Sequence, residues 1–383
     1  MMSRAIKVRG PYKGPSGHDH HVREFVRHLA RQGIRQQLID LPEWGPVKLP
    51  DAMRDPWFDT LSEPVDASAI LHFCMPHQVK VETGLLNVNY TMFEASRIHK
   101  SWVAHNLRHD LVILPTPSSK DAWVNSGFPE DRIRLCPLGV DPARFHPGAD
   151  PLELTDRRGR SVRDYLTRVL NVSELSPRKN LLGLLRVWIR ATTPDDDAIL
   201  ILKLGRYAPG WTLRLMRDLD AMERTIGKTR LESAPVLFID RIFSDSQMPA
   251  LFAAATHYWS MSHGEAWDQP MVEAAATGLR LIAPKHSAYA TYLDEAIARL
   301  IPARRVPAVF DGGGDLRSLF EGADWWEPDE DAATAAVREA LTGADRDRPS
   351  ARARIAAEFT WERATARLIA ILEELHERHG LRF

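Results

Sequence analysis

Short apolar runs alternate with amphipathic stretches along this chain of 383 residues, and that alternation constrains its fold more than any other feature. The pattern is typical of βαβ units, in which parallel strands form a sheet covered by helices. In the first part of the chain it predicts strands at Ile6–Val8, Gln36–Leu41, Ala69–Phe73, Asn87–Tyr90 and Leu111–Leu114. Helices are predicted there at His20–Gln32, Arg97–Leu107 and Lys120–Ser126.

The pattern is interrupted once, over residues 146–166, and then begins again. This segment is rich in Pro, Gly and charge and has no period, which favours an interdomain linker with a solvated surface. Beyond it, strands are predicted at Val169–Val172, Ala198–Leu204, Val236–Ile239, His257–Ser260 and Leu281–Ala283. The predicted helices are Leu181–Ala191, Leu213–Thr225, Asp245–Ala254, Met271–Thr277, Ala332–Leu341 and Trp361–Arg378. We therefore expect two doubly wound α/β domains, at 1–150 and 151–360, with a ligand cleft between them.

Composition excludes several classes of protein. The 50 Lys+Arg against 51 Asp+Glu give a formal charge of -1, which disfavours nucleic-acid binding. Cys74 and Cys136 are the only cysteines, so neither a disulfide framework nor a cysteine zinc site is expected. No apolar run approaches the ~20 residues of a membrane span, and the start lacks a signal-peptide apolar region. A soluble protein of a reducing compartment is expected.

The most informative stretch is Ser262–Gly278, SHGEAWDQPMVEAAATG, which follows a predicted strand. Ligands of open α/β sheets bind at this carboxyl edge. Pro270 suits the first turn of a helix that Asp268 or Gln269 can cap, which places Glu265 in the loop and Glu273 at the end of that turn. Because a helix N-terminus attracts anions, carboxylates beside it suit a sugar phosphate or a nucleotide sugar. A helix with an acidic first turn and no function is an equally good interpretation of this stretch alone.

Two further turns also have residues suited to binding a ligand. Arg178 and Lys179 follow the first strand of the second domain and could neutralise a diphosphate, although basic residues in turns are usually just solvated. The run GPYKGPSG, Gly10–Gly17, has glycines that allow close approach of a ligand. It lacks the spacing of dinucleotide and ATP loops.

Together these stretches resemble the retaining glycosyltransferases of family 4, which have the GT-B fold. Glu265 and Glu273 match the family's E-x7-E motif, and Arg178 with Lys179 match its basic turn. The Gly-rich loop is similar at Gly14 and Gly17, and the run PLGVDPARFHP is similar to the family's stretch entering the linker. The resemblance covers nearly the whole chain and implies that the tail, 361–383, crosses back onto the first domain.

The resemblance also implies roles for single residues. Glu273 would bind the ribose hydroxyls, Glu265 the donor sugar, and Arg178 with Lys179 the diphosphate. The backbone of Trp267, Asp268, Gln269, Pro270 and Met271 would meet the sugar and phosphates. The turn Phe238–Ile242, with Arg241, would line the base, and His18 of the Gly-rich loop would touch the donor. No cofactor beyond the donor substrate and no metal ligand is expected.

Three departures from the family pattern leave alternatives open. Val172 and Ser173 stand where many members have Gly-Arg, so one phosphate-binding arginine is either missing or replaced by Arg178. Asp268 stands where a Gly is usual, and we expect it to cap the helix. Where many members have a first-domain His, the chain reads NYTMFE, so Glu94 is either the polar group facing the acceptor or a structural carboxylate paired with Arg97. The cluster of His18, His20 and His21 cannot ligate one ion together.

The resemblance thus implies a metal-independent, retaining hexosyltransferase. It would move a sugar from a GDP- or UDP-linked donor to a glycan or lipid-linked acceptor in polysaccharide or lipopolysaccharide biosynthesis. We expect it in the cytoplasm, either free or in peripheral contact with the inner face of the membrane. The alternatives are a non-catalytic carbohydrate-binding relative and a glycosidase using Glu265 and Glu273.

Overall fold

The apolar runs of the first part of the chain form a six-stranded parallel sheet in the computed structural model, which describes residues 4–45, 47–205, 211–309 and 318–383. The strands are β1 (Ala5–Gly10), β2 (Arg35–Asp40), β3 (Ala69–Phe73), β4 (Leu86–Tyr90), β5 (Leu111–Leu114) and β6 (Ile133–Leu135). Their order is β2-β1-β3-β4-β5-β6. The accompanying helices are α1 (Gly17–Arg31), α2 (Lys100–Asn106) and α3 (Pro117–Val124).

A second parallel sheet of six strands follows. It contains β7 (Thr167–Glu174), β8 (Ala198–Gly205), β9 (Val236–Ile239), β10 (His257–Trp259), β11 (Arg280–Pro284) and β12 (Arg299–Ile301), in the order β12-β11-β10-β7-β8-β9. In β8 every residue from Ala198 to Leu204 is buried, as expected for a strand covered on both faces. The helices are α4 (Leu181–Ala191), α5 (Trp211–Ile226), α6 (Met248–Ala253), α7 (Gln269–Thr277) and α8 (Tyr289–Tyr292).

The rest of the chain is mainly helical. Strands β13 (Ala303–Pro307) and β14 (Asp324–Pro328) form a separate two-stranded sheet, and helices α9 (Glu330–Thr342), α10 (Arg352–Glu358) and α11 (Trp361–Arg378) follow. The predicted architecture of two doubly wound α/β domains is confirmed. No helix within the described ranges is both long enough and apolar enough to cross a membrane.

Contacts divide the chain into two units. Unit 1 lies within Met1–Gly139, Gly314–Asp324 and Glu358–Phe383, and unit 2 within Val140–Gly313 and Trp325–Ala357. The first division falls at Gly139, whereas the sequence analysis placed the domain boundary at residue 150. Residues 146–166 belong to unit 2, where the Leu152 N–H donates to the Ala250 carbonyl at 2.7 Å and Tyr165 donates to Asp156 at 2.5 Å.

Helix α11 packs within unit 1. Trp361 at its start lies 5.4 Å from Phe25 of α1, centroid to centroid and edge to face. Arg134 of β6 pairs with Glu374 at 2.7 Å. Gly139 allows the close approach, because a Cβ there would lie 2.3 Å from the backbone of Thr360 and Trp361.

Candidate functional site

The predicted basic turn and the predicted acidic loop meet at the carboxyl edge of the second sheet. Strand β7 has β8 on one side and β10 on the other, so the chain changes direction along the sheet between β7 and β10. Open α/β sheets bind ligands at such a point. Arg178 and Lys179 follow β7, and Glu265 follows β10.

Three charged side chains form the centre of this site. Lys179 Nζ lies 2.6 Å from Glu265 Oε1, and an Arg178 guanidinium nitrogen lies 3.0 Å from Glu265 Oε2. All three are largely buried, since their side chains are only 15%, 10% and 5% exposed in the order Lys179, Arg178, Glu265. Burial by itself would raise the pKa of Glu265, but Lys179 and Arg178 together hold that pKa at about 2. Glu265 is therefore ionised at any ordinary pH.

Arg178 and Lys179 differ in what they bind. Arg178 donates to the Gly264 carbonyl at 2.8 Å and also pairs with Glu174 at 3.5 Å, so it joins the end of β7 to the loop after β10. The Lys179 ammonium donates to Glu265, and within the described part of the chain this ammonium has no other hydrogen-bond partner. Because an ammonium has three N–H bonds, Lys179 retains donors for an incoming anion.

The turn that carries these cations has a defined geometry. Residues Pro177–Lys179 form a 3-10 helix that ends at Asn180. Asn180 has a left-handed backbone (φ 49°), and its side chain accepts from the Gly183 N–H to cap α4. The two cations are thus fixed at the start of a well-capped helix.

Helix α7 supplies the other predicted residues. Pro270 lies in its first turn as expected, Met271 is buried, and Gln269 donates to Glu273 at 3.3 Å. Glu273 is buried and is the fifth helical residue, because α7 begins at Gln269; the expected position at the end of the first turn is wrong by about one residue. Trp267 is buried in the loop, where its carbonyl accepts from the Tyr292 hydroxyl at 2.6 Å.

The prediction that Asp268 or Gln269 caps this helix with its side chain is wrong. Asp268 occupies the N-cap position with a left-handed backbone (φ 59°, ψ 70°), and no side-chain cap forms among the described residues. Instead Asp268 Oδ2 accepts from the Tyr289 hydroxyl at 2.8 Å. Burial, and then the charge of Glu265, raise the pKa of Asp268 to about 6.

The structure adds residues that the sequence analysis did not select. Ser262 lies beside Glu265 and donates to the carbonyls of Arg178 and Gly264, each at 3.2 Å. Ser287 accepts from the Glu265 N–H at 3.2 Å, and its neighbour His286 contacts the Ser262 carbonyl at 2.8 Å. Ser262 and its position just after a strand were visible in the sequence. The residues after β11 were not, because only the folded sheet brings them next to β10.

Arg241 follows the end of β9, as the prediction for the base-lining turn requires. Its side chain is exposed and its guanidinium carbon lies 4.8 Å from the centroid of the Phe243 ring. Lys203 approaches the same ring at 5.5 Å and is buried. Burial lowers the pKa of Lys203 to about 8, although Asp240 partly offsets this.

The predicted residues of the first domain lie in unit 1. The Gly14 N–H donates to Asp19 at 2.6 Å, and a Cβ at Gly14 would lie 2.8 Å from that carboxylate. The close approach at Gly14 is thus made by Asp19, which also forms a capping box with Ser16 at the start of α1. Gly17 is the first residue of α1, and a Cβ there would meet nothing within 4 Å.

His18 and Glu94 are the two other predicted residues of this unit. His18 packs against Trp44 with ring centroids 4.4 Å apart and ring planes tilted by 34°. Glu94 is half-buried in the loop after β4, whereas Arg97 is exposed.

Comparisons with known proteins support the fold. The chain matches no protein-family model and no curated protein. Among solved structures it is similar to Anabaena HepE in complex with UDP and glucose, with 13% identity and a TM-score of 0.66 over 97% of this chain and 100% of that one. It is equally similar to sucrose-phosphate synthase from Thermosynechococcus elongatus, with 15% identity and a TM-score of 0.66 over 98% and 100% of the two chains.

A glycosyltransferase from Rickettsia africae is a third similar structure, with 12% identity and a TM-score of 0.64 over 98% of this chain and 99% of that one. At such low identity these likenesses show the fold alone. They confirm the GT-B fold that the sequence resemblance implied.

Proposed function

We propose that this protein is a glycosyltransferase that moves a sugar from a nucleoside-diphosphate sugar to the hydroxyl of a glycan or lipid-linked acceptor. The observation that carries the proposal is the buried Lys179–Glu265–Arg178 cluster between the ends of β7 and β10. The similar Anabaena structure, which holds UDP and glucose, supports a donor of this class. The sequence resemblance supports a role in polysaccharide or lipopolysaccharide assembly on the cytoplasmic side of the membrane.

In this proposal the two cations have different tasks. Lys179 binds the diphosphate, because it keeps N–H donors beyond its contact with Glu265. Arg178 positions Glu265 and the Gly264 carbonyl and adds positive charge near the leaving group. The start of α7 contributes its dipole, and Glu273 binds the ribose hydroxyls. In unit 1, Glu94 binds the acceptor in this proposal.

The proposed chemistry is transfer with retention of the anomeric configuration. A bond forms between the acceptor oxygen and the anomeric carbon as the bond from that carbon to the phosphate oxygen breaks. The acceptor proton passes to the departing phosphate, and the nucleoside diphosphate leaves. The protein then acts by positioning and by stabilising the charge that develops on the leaving group.

Glycoside hydrolysis by Glu265 and Glu273 is the weaker candidate. A glycosidase needs one carboxyl group with a raised pKa to protonate the leaving oxygen. Lys179 and Arg178 keep Glu265 ionised, with a pKa of about 2, so Glu265 is unsuited to that task. A hydrolase of neutral substrates would also have no use for two buried cations at the reacting centre.

Release of nucleoside diphosphate from UDP-glucose, GDP-mannose, dTDP-glucose and ADP-glucose tests the proposal, with binding of each measured by calorimetry. We expect one of these donors to bind and be consumed, and the anomeric coupling of the product by NMR to match that of the donor. Binding without turnover for any acceptor would indicate a carbohydrate-binding relative. Neither binding nor turnover would refute the proposal.

Activity should also survive EDTA, because Lys179, Arg178 and the α7 dipole supply the positive charge that a metal would otherwise provide. Loss of turnover on chelation, restored by Mg²⁺ or Mn²⁺, would contradict the metal-independent part of the proposal.

A further inference from the structure

Asp268 is a second buried carboxylate in the same cluster, and its placement is unusual. It is only 7% exposed and has a left-handed backbone, a conformation that glycine adopts more readily than aspartate. Non-glycine residues in such conformations persist where the surrounding structure holds them, and they concentrate at functional sites.

Hydrogen bonding orients one of the two oxygens of the Asp268 carboxylate. The Tyr289 hydroxyl donates to Oδ2 at 2.8 Å, and the same hydroxyl lies 2.7 Å from Ser260 Oγ at the end of β10. Oδ1 takes no hydrogen bond within the described part of the chain. One oxygen is therefore oriented by the protein, and the other retains its acceptor capacity.

The environment of this carboxylate opposes its ionised form. The carboxylate does not cap α7, and its charge faces another anion, Glu265, with Lys179 and Arg178 as the nearby cations. A buried carboxylate in that environment is ionised at a cost, which its raised pKa of about 6 reflects. Groups that are costly to bury and are oriented beside a cluster of charges are candidates for ligand binding.

We propose that Asp268 accepts a hydroxyl of the donor sugar through Oδ1 and thereby selects donors that carry that hydroxyl. This inference rests on the proposed glycosyl transfer, in which the adjacent Glu265 orients the same sugar. A site built to accept a hydroxyl discriminates strongly against an analogue that lacks it, because the buried acceptor is then left unpaired. The donor sugar thus carries a hydroxyl at the contacted carbon, and the analogue that lacks this hydroxyl binds more weakly.

Two substitutions separate this role from a structural one. Asp268→Asn keeps the shape and tolerates the left-handed backbone, whereas Asp268→Gly removes the side chain and suits that backbone best. The probe is whichever of UDP-glucose, GDP-mannose, dTDP-glucose and ADP-glucose binds the wild-type protein most tightly. We expect both variants to bind it about tenfold more weakly, yet to bind the free nucleoside diphosphate within twofold of the wild type.

Sugar analogues locate the contact. A series of the same donor with one hydroxyl at a time replaced by hydrogen should contain one member that wild type and Asp268→Asn bind equally. The inference would be overturned if Asp268→Asn bound every analogue more weakly than the wild type. It would also be overturned if the variant lost as much affinity for the free nucleoside diphosphate as for the donor. If the wild-type protein binds the donor and both variants bind it as well, the inference fails while the proposed function stands. If no donor binds even the wild type, both fail.

The pH dependence gives a second readout. The charged and titratable groups that face Asp268 are Glu265, Lys179, Arg178, Tyr258, Tyr289 and Tyr292, and Glu265 stays ionised far below neutrality. Donor affinity of the wild type should decline as the pH falls through about 6, because the carboxylate is lost as an acceptor. In Asp268→Asn that decline should be absent; an identical decline in both proteins would count against Asp268.

Discussion

At the scale of single residues, Arg178 and Lys179 are adjacent in the sequence but differ in how many protein partners their side chains have. Arg178 is surrounded by protein partners, whereas Lys179 contacts one carboxylate and keeps unused donors. Removing Arg178 would leave Glu265 and the Gly264 carbonyl short of a partner in a buried place. Removing Lys179 leaves Glu265 paired with Arg178 and takes away the N–H donors available to a ligand, so Lys179 is the better residue with which to test function, with urea unfolding to verify that the variant folds.

We predict that Lys179→Ala weakens binding of the nucleoside diphosphate by ~1.5–3 kcal/mol, the usual contribution of a charged hydrogen bond. Calorimetry with the free diphosphate measures the change. Lys285→Ala is the matched control, because Lys285 lies in the same unit and its side chain is 58% exposed in an ion pair with Glu295. Equal affinity in Lys179→Ala and the control would remove Lys179 from the site.

Asp268 should also affect the pH dependence of stability. Its pKa in the folded chain, about 6, lies above its ordinary 3.8, so its ionisation destabilises the folded state. The favourable contribution of the protonated form is complete below pH 4 and is lost as the pH rises through 6. It amounts to about 3 kcal/mol at most.

Urea unfolding at several pH values tests this. Asp268→Asn should be more stable than the wild type at pH 7.5, and the advantage should vanish near pH 4. A variant less stable than the wild type at pH 7.5 would show that the carboxylate supports the fold. The expected combination of greater stability and weaker donor binding is the trade-off often found at binding sites.

At the scale of elements, the segments with a clear apolar pattern were predictable and those without one were not. Leu181–Ala191 has the predicted bounds because its apolar residues recur with the period of a helix, and Ala69–Phe73 has them because it is a short, almost wholly apolar run. Strand β6 has three residues and β13 is largely exposed and basic, so neither carries a recognisable pattern.

In the candidate site, too, some features could be predicted from the sequence and others could not. The identity of Lys179, Arg178 and Glu265 followed from the turns that they occupy. The burial of Arg178 depends on a carbonyl 86 residues away, and the orientation of Asp268 on a tyrosine 21 residues away, so local sequence could not reveal either.

The junction between Gly139 and the start of α11 is the element whose packing is most sensitive. We predict that Gly139→Ala lowers the free energy of unfolding by ~1–3 kcal/mol, because the added methyl meets backbone that cannot rotate away. Gly45→Ala is the control, since a Cβ there meets nothing within 4 Å and its φ of -172° suits any residue. Similar urea midpoints for the two variants would contradict this account of the junction.

At the scale of the whole molecule, unit 1 depends on residues that follow unit 2 in the chain. Helix α11 buries Trp361, Leu368 and Leu372 almost completely. We predict that deleting residues 361–383 exposes unit 1 to proteolysis and leaves unit 2 resistant, because the deletion uncovers apolar surface of unit 1 that α11 shields. Deleting only 380–383 should change little. Equal protection of α1 in both truncated proteins would show that α11 is dispensable for unit 1.

This return of the chain has a consequence for synthesis. A ribosome adds residues in order, and domains generally fold as they emerge, the first one first. Here the last helix of unit 1 leaves the ribosome only after every residue of unit 2 has been made. Unit 2 can therefore complete its folding first, while the apolar surface that α11 will cover stays open to chaperones throughout translation.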